Sequence, residues 1–325
     1  MMQSITFECE VITPMFLAGA DGITPELRPP SIKGALRFWW RALNGHLPLA
    51  DVKNELGEII QEGLKTREGE IFGDTNRRSK VLIRVAPIEE KISTNTFKNL
   101  NRRAYDLIYM TYGAVDRKYY EVGTKFNIII ASKDNTILNE VKKAFTALVH
   151  LGGLGAKSRN GFGSLQCNNI DTFEELKAYD NFHAKIKAPY TSISNNVQIY
   201  FSERDFSNWH SAIKELKALY SESKKSIFPK NHRVYIGAPW NKEKQPERHS
   251  KIHLMSLYKE ENRYYYRITY LPYDYMKGYP EMNEGQITNH YTKWKSTTKK
   301  FNELLENAED DYGNYSVNYT FNKND

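Results

Sequence analysis

From Gly152 the chain reads Gly152-Gly153-Leu154-Gly155-Ala156-Lys157-Ser158-Arg159-Asn160-Gly161-Phe162-Gly163, five glycines interleaved with two cations and two small polar residues. Before it, Asn135 can cap a helix carrying Ile137, Val141, Phe145 and Leu148; after it, Phe162 to Cys167 reads as a strand. The segment is therefore a loop that turns a helix into a strand. An ordinary turn after a helix accounts for one or two glycines, not five with cations between them. Glycine permits positive φ and close backbone approach. Such a loop can bring N–H groups, Lys157 and Arg159 against a sugar-phosphate chain, with Gly153, Gly155, Ser158, Asn160 and Gly161 beside them. No Gly-Lys-Ser/Thr stands at Walker spacing, and Gly-x-Gly-x-x-Gly is not satisfied from Gly153 or Gly161, so nucleotide and dinucleotide patterns are excluded.

The surrounding periodicities describe an α+β chain. Ile5 to Ile12 reads as a strand. A turn region runs from Thr13-Pro14 to Pro29-Pro30, and a helix begins near Ser31, with Ile32, Leu36, Trp39 and Leu43 as its buried face and a stop near Asn44-Gly45. Asp51 can cap a second helix carrying Val52, Leu56, Ile59 and Ile60. Val81 to Val85 and Phe126 to Ile130 then read as strands. Regular βαβ alternation is missing, so a split, ferredoxin-like arrangement with an antiparallel sheet fits better than a parallel doubly wound one. At 325 residues two domains are expected. Periodicity weakens between about Asp171 and Asn196, which sets the domains at 1–175, with the helix and the glycine-rich loop, and 190–325. The second half begins like the first, with a strand at Val197 to Phe201 and an amphipathic helix on Phe206, Trp209, Ile213, Leu216 and Tyr220. Two strands, Lys251 to Tyr258 and Tyr264 to Leu271, follow, and a last helix carries Trp294, Phe301, Leu304 and Leu305.

On the helix from Ser31, Lys33, Arg37, Arg41 and Trp40 share an arc beside the apolar face, cations repeating about every 6 Å along the axis. That suits a single strand of nucleic acid, its phosphates meeting the cations and a base stacking on Trp40. The other reading is a solvated helix face. His46, just after this helix, is the histidine nearest the surface so defined, either a general base for RNA cleavage through the 2′-hydroxyl or a surface histidine. His249 and His253 share i, i+4 spacing, but a strand is expected there and no glutamate completes a zinc motif. Neither a metal nor a cofactor is expected. Tyr264, Tyr265, Tyr266, Tyr270, Tyr273, Tyr275 and Tyr279 crowd one region, chiefly as core or protein interface, with base stacking the minor reading.

Net charge of +7 and a pI near 9.0 favour a polyanionic partner. No window approaches the roughly 18 consecutive apolar residues of a membrane span. The first residues lack a secretory pattern, so a cytoplasmic protein with no membrane partner is expected. Cys9 and Cys167, far apart in sequence, are expected to be buried, inert thiols without a zinc pair or disulfide framework.

The stretch Ile12-Thr13-Pro14-Met15-Phe16-Leu17-Ala18-Gly19-Ala20-Asp21, followed by Glu26-Leu27-Arg28-Pro29-Pro30-Ser31-Ile32-Lys33-Gly34-Ala35-Leu36-Arg37-Phe38-Trp39-Trp40-Arg41, resembles the first RAMP subunits of type III-B CRISPR (Cmr) effector complexes. Gly152 to Leu165 looks like the glycine-rich loop of the RAMP superfamily. Arg248-His249-Ser250-Lys251-Ile252-His253-Leu254 is similar to the family's Arg-x-Ser-Pro-x-His-Leu-like segment, with Lys251 where proline is expected. The resemblance implies two ferredoxin-like (RAMP/RRM-like) modules packed together, and a place near the 3′ end of the guide RNA (crRNA). It also implies no catalytic site, because a different subunit cuts target RNA. Guide RNA, target RNA and other RAMP subunits are the implied partners, and Arg28, inside the matching stretch, joins the RNA-contacting set. The rivals are a RAMP endoribonuclease that processes guide precursors with His46 as base, and a protein scaffold whose basic helix docks on an acidic partner.

Overall fold

The structure, a computed structural model, describes residues 1–99, 107–202, 204–237, 251–273, 283–307 and 318–320. In chain order the elements are β1 (Gln3–Val11), α1 (Pro29–Leu43), β2 (Val52–Lys53), β3 (Ile59–Gln61), α2 (Leu64–Phe72), β4 (Val81–Glu89), α3 (Ile108–Thr111), β5 (Lys125–Ser132), α4 (Asn135–Leu151), β6 (Leu165–Cys167), α5 (Phe173–Lys177) and α6 (Asp180–His183). Then follow β7 (Gln198–Phe201), α7 (Trp209–Lys225), β8 (His253–Glu260), β9 (Arg263–Tyr270), α8 (Glu284–Glu306) and β10 (Asn318–Thr320).

Two four-stranded antiparallel sheets result, ordered β4-β5-β1-β6 and β10-β7-β9-β8, beside a two-stranded β2-β3 pair. Each four-stranded sheet is a β-α-β-β-α-β unit whose first strand lies between the third and the fourth, the ferredoxin-like topology, so both expected modules are present. In the first, Phe7, Cys9 and Val11 alternate inward along β1 and meet α1 and α4, with the Phe7 and Phe145 rings 4.3 Å apart. Ile32, Leu36, Trp39, Trp40 and Leu43 seal α1 against the same core, each such buried side chain contributing about 1.5–3 kcal/mol. In the second, β8 and β9 turn tightly through Glu261 and Asn262, both at positive φ.

The modules interleave. One buried cluster joins Ile12, Phe16, Phe97 and Phe162 to Ile213, Leu216, Met255 and Leu257 of the second half; the other takes Ile193, Val197, Ile199 and Leu254 into the first.

Local starts differ from expectation. Helix α1 begins at Pro29-Pro30 with Arg28 as N-cap, not at Ser31, because proline at the first helical positions sacrifices no intrahelical bond. Asp134, not Asn135, caps α4 by accepting from the N–H groups of Thr136 and Ile137. The helix expected over Val52 to Ile60 is a hairpin instead. Asn54 Oδ1 accepts from the N–H of Leu56 at 3.0 Å and of Glu58 at 2.9 Å, and Gly57 sits at φ +81. These local bonds compete successfully with a helix. Gly34, in α1, is exposed, and a methyl group added there would meet no atom within 4 Å. Gly34→Ala should therefore raise stability by about 0.5–1 kcal/mol in urea unfolding.

Candidate nucleic-acid interface

The loop after β1 folds over the glycine-rich segment. Ala156 N donates to Phe16 O at 2.8 Å, Gly163 N to Pro14 O at 3.0 Å and Ser164 N to Thr13 Oγ1 at 2.9 Å. With the α1 residues Ser31, Ala35 and Phe38, this pairing encloses a cleft of about 490 Å³. Gly19, Gly153, Gly155 and Ala156 give it short-sided walls; its polar lining includes Ser158, Arg117 and Arg159. Among the described residues, the lining holds two arginines and no carboxylate. The Arg159 guanidinium lies over the Phe38 ring, 5.0 Å from its centroid, and burial lowers its pKa from the usual 12.5. An arginine remains cationic under such a shift. The cleft is thus a positive, partly apolar trough suited to an anionic chain with flat bases.

The cationic stripe of α1 points elsewhere. Arg37 Nη1 meets Glu68 Oε1 at 2.7 Å and Arg41 Nη1 meets it at 2.9 Å, while Arg37 Nη2 donates to Phe72 O at 3.0 Å. Lys33 Nζ reaches Phe72 O at 3.4 Å, and burial followed by the neighbouring Arg37 lowers its pKa. The bare ridge read from the helix is corrected to an ion-pair network with α2, supplied by a carboxylate remote in sequence. Trp40 is fully buried, donating from Nε1 to Glu140 Oε2 at 2.9 Å, so it presents no face for base stacking. It stands four residues after Leu36 and three before Leu43, which places it on the apolar stripe. Arg28 Nε lies 3.7 Å from Glu26 Oε2, and His46 is exposed in a separate shallow groove with Glu62, Arg67 and Glu140.

Within the glycine-rich loop, the two ends do different work. Gly153, Gly155, Ser158 and Arg159 line the cleft; Lys157 adopts φ +67 between them. Asn160 and Gly161 instead tie the loop to the second module. Asn160 Oδ1 accepts from Lys251 Nζ and Gly161 N donates to Met255 O at 3.1 Å, while Asn160 Nδ2 donates to Met110 O of the first module at 2.8 Å. Lys251 closes this junction, its Nζ 3.2 Å from Arg159 O, 3.0 Å from Asn160 Oδ1 and 4.2 Å from the Tyr220 ring centroid. Burial, then Lys224 and Arg159, push its pKa well below 10.5. Arg117, Phe38 and Lys251 had no role in the sequence reading of this surface; only Lys251 carried a signal, as the lysine where a proline is expected.

Other expectations resolve more simply. Antiparallel pairing of β1 with β6 sets Cys9 opposite Cys167, Sγ to Sγ 2.9 Å, although they are 158 residues apart. Sequence distance was thus no guide to spatial distance. Cys9 is buried and Cys167 half-buried, and burial with the bond to Cys9 raises the Cys167 pKa, which disfavours its thiolate. Tyr264, Tyr266, Tyr270 and Tyr273 are buried. Arg248, His249, Ser250, Tyr275 and Tyr279 lie outside the described residues. Among the described residues, no cluster of three or more His, Cys, Asp or Glu could hold a metal, and no helix is long and apolar enough to cross a membrane.

Two ferredoxin-like modules joined across a glycine-rich loop define a RAMP-type protein. The RAMP superfamily model matches residues 8–166. Two Pyrococcus furiosus proteins, CRISPR system Cmr subunits Cmr1-2 and Cmr1-1, are similar. The first is 31% identical over 188 residues, 51% of this chain and 95% of its own length. The second is 30% identical over 199 residues, 56% of this chain and 55% of its own length. The fold is similar to that of apo Cmr1 from Pyrococcus furiosus, with TM-score 0.55 and 20% identity over 92% of this chain and 97% of that one. It is also similar to a chain of the type III-B Cmr-beta complex bound to cognate target RNA, with TM-score 0.54 and 14% identity over 93% and 99%. The chain belongs to the RAMP superfamily and, within it, to the family of Cmr1 subunits.

Proposed function

We propose that this chain is a non-catalytic, RNA-binding subunit of a type III-B CRISPR effector complex in the cytoplasm. In this reading it lies toward the 3′ end of the guide RNA and contributes to target RNA capture in antiviral defence. Its partners are guide RNA, target RNA and other RAMP subunits. The observation that carries the reading is the cleft between α1 and the glycine-rich loop, lined by Arg117 and Arg159 without a carboxylate among the described residues. Gly153, Gly155, Lys157, Ser158 and Arg159 form the RNA-facing side, with Arg28 near the start of α1; Lys33, Arg37, Trp40 and Arg41 instead hold α1 to α2 and α4, and Asn160 and Gly161 hold the loop to the second module. The relatives' names as Cmr subunits, and the target RNA in the complex containing a similar fold, support the same reading. A division into an N-terminal RAMP domain at 1–175 and a C-terminal RAMP-like domain at 190–325 is part of it.

The test is binding of a short single-stranded RNA across a salt series. The logarithm of affinity should fall linearly with the logarithm of salt, by about 0.7 per phosphate contacted, and Arg117→Ala with Arg159→Ala should flatten the slope by about 1.4. An unchanged slope would move the RNA to another surface. Wild-type protein should leave repeat RNA intact; metal-independent cleavage abolished by His46→Ala would replace this reading with a ribonuclease.

A further inference from the structure

The residues expected to form the buried face of a helix after Asp51 are on the surface. Leu56 is 84% exposed, Ile60 66%, Ile59 51% and Val52 38%, and the neighbouring Leu49 is exposed as well. Ile59 and Ile60 are consecutive in β3, so their side chains leave opposite faces of the β2–β3 hairpin. Both faces are therefore uncovered, and the hairpin is a finger rather than a flap. It is also preformed. Asn54 builds the tip through its bonds to the N–H groups of Leu56 and Glu58 and through Nδ2 to Glu58 Oε2 at 2.8 Å. Asp51 clamps the base, accepting from Gly63 N at 2.7 Å and Thr66 Oγ1 at 3.0 Å. A two-stranded hairpin is marginal alone in water, so a rigid one with apolar residues on both faces is suited to insertion into a partner.

Charge selects the kind of partner. Residues 49–62 carry Asp51, Glu55, Glu58 and Glu62 against Lys53, an acidic finger on a chain of net charge +7. Carboxylates at that density repel phosphates, which excludes RNA as the favoured occupant. We propose that the hairpin docks into an apolar groove rimmed by lysine and arginine on a different protein subunit of the effector complex. Insertion into the arginine-lined cleft of a second copy would compete with RNA and propagate head to tail without closing. This inference rests on the reading of the chain as an effector-complex subunit.

The experiment reconstitutes the complex from its protein subunits and guide RNA, and measures incorporation of wild type, Leu56→Ser with Ile60→Ser, and Glu55→Lys with Glu62→Lys. All four positions are exposed, so the fold should survive, and circular dichroism checks that it does. Both variants should incorporate at least about tenfold more weakly while the isolated chains bind RNA as wild type does. Incorporation equal to wild type overturns the docking finger. Lost RNA binding would make it an RNA contact, and hairpin-dependent self-association of the isolated chain would make the occupant a second copy; either overturns the inference. Failure of wild type to incorporate sinks the subunit reading beneath it.

Discussion

Lowering the pH from 7.5 to 5 should remove about 4 kcal/mol of folding stability, measured by urea unfolding. The two most deeply buried histidines contribute most of it, and burial lowers the His232 and His290 pKa values in the same direction. His253 is buried among Tyr220, Tyr270 and Phe301, its Nε2 2.7 Å from Asn302 Oδ1, and burial lowers its pKa from 6.5 to about 3. His150, with Nε2 2.9 Å from Asp171 O, falls to about 4 through burial and the nearby Arg267. In the unfolded chain both would titrate near 6.5, so below that pH the unfolded state binds protons that the folded state refuses. Stability is full above pH 6.5, falls below it, and continues to fall to about pH 4 for His150 and about pH 3 for His253. pH 5 lies about 1.5 units below the unfolded pKa and above both folded values, which costs about 2 kcal/mol for each histidine. His253→Gln, whose amide can still donate to Asn302, should halve the slope between pH 6 and 5. A stability flat across that interval would show that these imidazoles are not held neutral.

Gly163→Ala should cost about 3 kcal/mol or more and lower the thermal midpoint by several degrees. Gly163 sits at φ +69, and a Cβ there would lie 1.9 Å from Leu154 O, a backbone atom that cannot swing aside. Gly155, at φ +86 and 2.5 Å from Phe16 O by the same measure, should behave alike. Because both positions hold the pairing of the glycine-rich loop with residues 14–16, weaker RNA binding should accompany the lost stability. Native-like melting of either alanine variant would remove the steric account of these glycines.

The strongly periodic elements were legible: β1, α1, α4, α7, β8, β9 and α8 follow patterns that burial enforces. The hairpin at 52–61 was not, because Leu56, Ile59 and Ile60 repeat at helical spacing without being buried, while Asn54 and Gly57 decide the backbone locally. At the cleft, the loop and Arg159 stood out in composition, as glycines set between two cations. The α1 ridge misled because its neutralising partner, Glu68, comes from another helix. Trp40 misled because an indole beside cations looks amphipathic until the packing partner Glu140 is in place. Arg117 and Lys251 come from segments far away in sequence, and no spacing rule connects them to the loop.

Asn160 and Gly161 occupy the boundary of the second module while Gly153, Gly155 and Arg159, a few residues earlier, wall the cleft. The segment consequently has two structural jobs, since its first residues shape a cavity wall and its last ones bridge the two halves. A substitution there disturbs both at once, whereas one at the exposed tip of the β2–β3 hairpin touches neither.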